Sequence, residues 1–306
     1  MKEVIKIVTR KSKLAMWQTY HIENLLNNAG METEIIQLET IGDKILDVAI
    51  NKIGSKGVFT EELEAALHAG EAHIAVHSAK DMPSKLPEGL ELIAFTERER
   101  MHDVLVANKE IDITKPLTIG TSSTRRVAMH KRFNPHFNIV DMRGNLQTRI
   151  AKMKDGQCDA LHLAFAGVHR MGYEDMIQHH FDLDIFTPAV GQGSIAIEAS
   201  TSLDPELKSR IVKAVDHAET HACLVAERAF LKKLEGGCSV PVYGLAQLEN
   251  NTINLSGGIV SLDGKKIIND IIKGNINRAE EIGSELGNIL IDLGGKELLQ
   301  EIKSNL

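Results

Sequence analysis

Four short stretches carry residue types able to do chemistry. Ser78-Ala79-Lys80-Asp81 follows a short apolar run, 74–76, so the pattern predicts side chains presented where a buried strand ends. A carboxylate beside a lysine can serve as acid, base or counter-ion to a cation. An aspartate just ahead of Pro83 can equally do no more than cap a turn. Gly120-Thr-Ser-Ser-Thr-Arg125-Arg126 places hydroxyls and two guanidinium groups at the start of a predicted helix. Helix N-termini bind anions, and two cations there oppose the helix dipole unless an anion is present. Arginine also offers bidentate geometry for carboxylate or phosphate. The competing reading is a pair of exposed arginines on a surface turn.

Arg143-Gly144-Asn145 forms a similar cationic turn, with Arg149 following in the next helix, and Arg10, Lys52 and Lys56 add charge in earlier loops. No GxxxxGK[ST] loop is present, so none of these is a Walker site. The fourth stretch is Gly236-Gly237-Cys238-Ser239-Val240-Pro241, which predicts an accessible thiol. Such a thiol suits a nucleophile or an attachment point, or is a free cysteine in a turn. Cys158 and Cys223 fall in apolar patterns and read as inert core thiols. An odd count of three cysteines without CxxC speaks against a disulfide framework or a zinc ribbon. The 13 histidines contain no HExxH or comparable ligand spacing, so no metal is expected.

These stretches need a scaffold. The 306 residues are enough for about two domains or three small ones, and 43% hydrophobic with 25% charged residues is ordinary globular composition. Strand patterns at 4–9, 34–38, 74–76, 117–120, 138–141 and 159–164 alternate with helical stripes. Thr60 is placed to cap one helix, with Glu61 and Glu62 against its positive end. This alternation predicts parallel sheets with helices on both faces and a ligand beyond the strands' carboxyl ends. A loop rich in Gly, Lys and Ser fills 39–57. The tail differs: a helix at 220–234, then strands at 241–247, 253–260 and 265–272 with Asp263-Gly264 as a hairpin turn, then two helices. No apolar run approaches the ~18 residues of a membrane span, and no signal-like h-region opens the chain, so a reducing cytoplasm is expected.

Charge is unevenly placed. The total is 35 basic against 42 acidic residues, or −7, which argues against a bulk nucleic-acid binder. Yet Arg125, Arg126, Lys131, Arg132, Arg143, Arg149, Lys152 and Lys154 fall within 30 positions that hold one acid, Asp141. A basic concentration in an acidic protein reads either as a specific anion site or as a solvated helix face.

Together the stretches closely resemble the porphobilinogen deaminase (hydroxymethylbilane synthase) family. The matching blocks are Thr9-Arg-Lys-Ser-Lys-Leu-Ala-Met-Trp-Gln, Thr40-Ile-Gly-Asp, Gly54-Ser-Lys-Gly-Val-Phe-Thr-Glu-Glu-Leu-Glu and His77-Ser-Ala-Lys-Asp-Met-Pro. Gly120-Thr-Ser-Ser-Thr-Arg-Arg, Met142-Arg-Gly-Asn-Leu-Gln-Thr-Arg, Pro188-Ala-Val-Gly-Gln-Gly and Gly236-Gly-Cys-Ser-Val-Pro follow in the family's order. Ala79, Thr124 and Lys13 depart from the residues common in the family without removing a proposed catalytic group.

The resemblance implies an α/β fold of two lobes like those of type II periplasmic binding proteins, plus a small α+β C-terminal domain. The implied division is 1–96 with 193–214, then 97–192, then 215–306. It implies head-to-tail joining of four porphobilinogen units with loss of ammonia and hydrolytic release of linear hydroxymethylbilane. The implied cofactor is dipyrromethane, held as a thioether by Cys238. Asp81 matches the catalytic aspartate, whose carboxylate would stabilise the azafulvenium-type cation left by ammonia. Lys80, Ser78, Ser123, Arg125, Arg126, Arg143, Asp43, Lys56 and Gly144 would hold the cofactor. Arg10, Lys52, Arg149 and Gln192 would hold substrate. The expected partners are the small-molecule substrate and its oligopyrrole product, with no nucleic acid, no membrane and a monomeric chain. Two rival classes stand beside this: a solute-binding protein with the same two-lobed fold, and a phosphate or nucleic-acid binder using the basic stretch.

Overall fold

The structure is a computed structural model that describes residues 4–40, 60–236 and 240–305. Asp43, Lys52, Lys56 and Cys238, with most of the Gly/Lys/Ser-rich loop, lie outside the described residues.

The first sheet is built from β1 (Val4–Arg10), β2 (Glu32–Leu38), β3 (Ile74–Ser78), β4 (Leu90–Phe95) and β10 (Ile195–Ser200). Its order is β2-β1-β3-β10-β4. Alternation in β1 sends Ile5 and Ile7 into one cluster with Ile22, Leu26, Leu207 and Ile211, beneath helices α1 (Lys13–Asn28) and α6 (Pro205–Val215). Val8 faces the other way, onto Leu63 and Leu67 of α2 (Glu61–His68). Burying each such side chain contributes about 1.5–3 kcal/mol. Ser12 caps α1 by accepting from the Ala15 N–H, and the helix ends just before Gly30. Thr60 occupies the N-cap position of α2 but makes no side-chain cap bond.

The second sheet, ordered β7-β6-β8-β5-β9, uses β5 (Asp103–Val106), β6 (Thr118–Gly120), β7 (Asn138–Val140), β8 (Ala160–Ala164) and β9 (Ile177–His180). Helices α3 (Thr124–Phe133), α4 (Leu146–Lys154) and α5 (Phe165–Arg170) connect its strands. The expectation of parallel sheets needs correction, because both sheets are mixed. β10 runs antiparallel to β3 and β4, and β5 runs antiparallel to β8 and β9. The reason is connectivity. The chain passes from β4 into β5 and returns from β9 into β10, so β5 and β10 enter their sheets from the opposite end. Local periodicity does not encode that reversal.

The two crossings lie side by side. Thr96 N–H donates to the Ile195 carbonyl at 3.0 Å, Glu99 N–H to the Gly193 carbonyl at 3.1 Å, and Arg98 Nε to the Gln192 carbonyl at 2.8 Å. The tail forms the antiparallel meander β11 (Val242–Glu249), β12 (Thr252–Val260), β13 (Ile267–Asn275). Helices α7 (Ala218–Lys233), α8 (Ala279–Leu290) and α9 (Lys296–Ser304) accompany it, and the core gathers around Phe230 and Leu286. The β12–β13 turn reaches α3, where Lys131 Nζ donates to the Leu262 carbonyl at 2.8 Å. α7 reaches the crossings through Glu227, which is 0% exposed. Its carboxylate accepts from Arg98 (2.5 and 3.2 Å), Gly191 N–H (2.7 Å) and Ala246 N–H (2.8 Å).

Candidate functional site

The loop after β3 tightens into a 3-10 turn, Ala79–Asp81. Ala79 is buried, with Met82, Phe95, Ala196 and Leu224 in one apolar cluster. That anchor lets Asp81 stand exposed, with no hydrogen bond or ion pair to any described residue. The return crossing presses on the turn from behind. Gly191 has φ +77°, and a Cβ there would lie 2.8 Å from the Ala79 carbonyl carbon and 2.9 Å from the Lys80 nitrogen. Glycine is required on both counts.

A cleft opens in front of the turn and is lined by Arg10, Ser12, Gln18, His77, Ser78 and Asp81. Three of the residues singled out in the sequence, Arg10, Ser78 and Asp81, therefore meet there. Gln18, from α1, was not among them; its Nε2 donates to Ser78 Oγ at 2.9 Å. No motif marks it. It becomes visible only because α1 crosses the end of β3.

The second sheet contributes further cations. Burial and the neighbouring Arg126 hold the Lys80 ammonium down to about 8, against the pull of Asp81. Burial and Arg126 also lower Arg149 to about 10, again opposed by Asp81, so both remain charged at neutral pH. Asp81 and Arg126 thus lie within electrostatic reach of both Lys80 and Arg149. Arg149 is oriented by its Nε bond to the Gly144 carbonyl at 2.7 Å, and Lys152 Nζ donates to the Arg143 carbonyl at 3.1 Å. Asn145 caps α4. Gly144, at φ +114°, leaves space that a Cβ would take from Thr148 Cγ2 at 2.7 Å. Ser123 caps α3 by accepting from the Arg126 N–H.

Arg125 and Arg126 are not exposed arginines on a turn. They are 4% and 6% exposed. The anion that the dipole argument demanded is supplied by the protein: Asp103 Oδ2 accepts from Arg125 Nη2 and Oδ1 from Arg126 Nη2, each at 2.6 Å. Burial pushes the Asp103 carboxyl up, but Arg125, Arg126 and His162 together hold it well below the usual carboxylate range. Both Arg Nε atoms remain buried without a hydrogen-bond partner among the described residues. Gln192 is 1% exposed, and its Nε2 donates to the Met101 carbonyl (2.7 Å) and to Asp103 Oδ1 (3.0 Å). Its side chain is committed to the crossings and is not displayed in the cleft. Sequence reasoning missed Asp103, because a single acid 22 positions before Arg125 obeys no spacing rule.

Behind Arg126, His162 and His130 form a buried chain, 2.7 Å between ring nitrogens. Burial pushes His130 down to about 4 and His162 well below its ordinary value. Cys158 and Cys223 are buried free thiols, pushed up to about 11 by burial, as inert core thiols should be. Among the described residues no group of three or more His, Cys, Asp or Glu could hold a metal ion, and no helix is long and apolar enough to cross a membrane.

Fold and site define a two-sheet α/β protein whose cationic groups surround one exposed carboxylate, with a small three-stranded domain attached. The family model "Porphobilinogen deaminase, dipyromethane cofactor binding domain" matches residues 5–209, and "Porphobilinogen deaminase, C-terminal domain" matches 221–292. A porphobilinogen deaminase of Desulfosudis oleivorans is 55% identical over 303 residues, covering 98% of both chains. One of Cytophaga hutchinsonii is 51% identical over 310 residues, covering 100% of this chain and 99% of that one. The chain belongs to the porphobilinogen deaminase family and carries that family's dipyromethane cofactor-binding domain. Among solved structures, the Bordetella pertussis BvgS periplasmic VFT2 domain matches at TM-score 0.43 and 18% identity, covering 69% of this chain and 86% of that one.

Proposed function

We propose that this chain is a transferase that joins four porphobilinogen units head to tail, releases ammonia at each step and hydrolyses the product to linear hydroxymethylbilane. The observation that carries the reading is the exposed Asp81 carboxylate, unpartnered among the described residues, next to Lys80 and within electrostatic reach of Arg149. Loss of ammonia from an aminomethylpyrrole leaves a cation. The Asp81 carboxylate stabilises that cation at the pyrrole N–H, and it moves the protons that amine departure and ring deprotonation require.

The residues present fit the dipyrromethane. Each of its rings carries carboxylates, and the buried Nε donors of Arg125 and Arg126 lack partners among the described residues. Arg125, Arg126, Arg143, Lys80, Ser78, Ser123 and Gly144 would hold it, with Asp43 and Lys56, and Cys238 would bear it through a thioether. When bound, it supplies the pyrrole carbon to which the first unit is joined. Arg10, Arg149 and Lys52 bind the acetate and propionate groups of incoming substrate. Gln192 acts there through its neighbours, since its amide is already engaged. The proposed division is 1–96 with 193–214, 97–192 and 215–306, working as a monomer in the reducing cytoplasm, a compartment consistent with the free thiols Cys158 and Cys223.

Intact mass of the purified protein and of Cys238→Ser tests the assignment. A two-pyrrole increment on the first, absent from the second, is expected. No increment from a porphyrin-competent host, together with no porphobilinogen consumption, refutes it. Asp81→Asn should fold normally but lose about 10²–10⁴-fold in turnover; near-normal turnover removes Asp81 from the chemistry.

A further inference from the structure

We infer that Asp103 and Gln192 are positioning residues: Asp103 is the built-in counter-ion that fixes the Arg125–Arg126 pair, and Gln192, on the returning crossing, fixes Asp103. The inference rests on reading that pair as cofactor binders. Asp103 is 0% exposed and divides its two oxygens between the two guanidiniums. Each arginine has a second anchor in a backbone carbonyl, Thr187 for Arg125 at 2.9 Å and His162 for Arg126 at 3.0 Å. Two of the five N–H donors of each guanidinium are so engaged, and each Nε is left without a partner among the described residues.

The charge balance explains why the arrangement holds. Two guanidiniums side by side at a helix start repel one another and oppose the helix dipole. One shared carboxylate removes most of that cost and leaves a net positive charge for a ligand. Asp103 must itself be held, since a shift of either oxygen releases one arginine. Gln192 supplies the hold on Oδ1, and its other bond ties it to the Met101 carbonyl on the outgoing crossing. The two chain crossings therefore meet the arginine pair at one carboxylate, so the pair's placement follows the placement of the crossings.

The test compares wild type, Asp103→Asn and Gln192→Met, the last similar in length but unable to donate. Apo-protein is mixed with porphobilinogen, and cofactor loading is followed by intact mass. Gln192→Met should load about tenfold more slowly, the worth of one charge-assisted hydrogen bond. Asp103→Asn should fail to load. If Asp103→Asn does not fold, Gln192→Met alone decides. Loading of Gln192→Met at the wild-type rate overturns the inference. A ligand-free readout separates this from failure of the functional reading: rotation about the Nε–Cζ bonds of Arg125 and Arg126, measured by NMR of the apo-protein. It should quicken about tenfold in Gln192→Met, and unchanged rotation overturns the inference even if wild type never loads.

Discussion

Replacing Gly191 by alanine should damage both stability and turnover, and the two losses can be separated. Gly191 sits at φ +77°, where an L side chain costs about 1–2 kcal/mol. The added Cβ would also lie 2.8 Å from the Ala79 carbonyl carbon and 2.9 Å from the Lys80 nitrogen, where ordinary contact is 3.4–4 Å. Both are backbone atoms, so the overlap cannot be relieved by turning a side chain. Overpacking of this kind costs about 1–3 kcal/mol, which brings the total to roughly 2–5 kcal/mol. Relief requires the turn bearing Asp81 to move by roughly 0.5–1 Å, and a displacement near 1 Å costs up to about 10²-fold in rate.

Gly156→Ala is the internal control. It has φ +82° but nothing within 4 Å of the added carbon. It should lose only the ~1–2 kcal/mol of backbone strain and keep full turnover. The assay is parallel thermal melts, read at roughly 2–4 °C per kcal/mol for a chain of this size, with initial rates of porphobilinogen consumption. Equal stability losses in the two variants, or wild-type turnover in Gly191→Ala, would refute the claim that the crossing sets the position of the turn.

Other outcomes follow from the same structure. Lys80, held near 8, should lose its charge as pH rises through 8, so cofactor loading of the apo-protein slows there and the loss moves to higher pH in Lys80→Arg. Its sign for folding is opposite: between pH 8 and 10.5 the unfolded chain keeps a proton the folded chain has lost, so this group's contribution to stability increases with pH. His130, lowered from 6.5 to about 4, makes the unfolded chain the better proton binder over that interval. Stability should fall by about 3 kcal/mol as pH drops from 7 to 4, 2.5 pKa units at 1.36 kcal/mol each, and His130→Gln should flatten the slope in denaturant melts. Glu227→Gln strands the buried Arg98 and should cost about 3–5 kcal/mol; a loss under about 1 kcal/mol in a double-mutant cycle with Arg98→Met would show that the pair does not tie α7 to the crossings.

The two rival classes raised by the sequence have separate fates. The family match covers the lobes and the C-terminal domain together, which a solute-binding protein does not explain. The basic stretch is not a continuous charged face: Arg125 and Arg126 are buried against Asp103, and Lys131 is spent on the Leu262 carbonyl.

Local rules carried far in this chain. Ser12, Ser123 and Asn145 cap their helices because short polar side chains there meet free N–H groups. The strands expected at 4–9, 34–38, 74–76, 117–120, 138–141 and 159–164 are present, whereas β4, β5, β9 and β10 were not read from the sequence; the thiols of Cys158 and Cys223 are buried as their apolar surroundings imply. The conflict of two cations at the start of a helix was also legible, and it correctly demanded an anion.

The identity of that anion was not legible. Asp103 and His162 reach Arg125 and Arg126, and Gln192 reaches Asp103, from three other segments, and no local period or spacing encodes a contact between residues 22 to 89 positions apart. Strand direction was hidden for the same reason, because β5 and β10 are reversed by connections between sheets and not by their own residues. Sequence alone determined which side chains could do chemistry and which local element carries each. The tertiary structure decided which of them are exposed, which are paired, and that Asp81 is left without a partner among the described residues, because burial and charge pairing depend on distances that only the packed chain fixes.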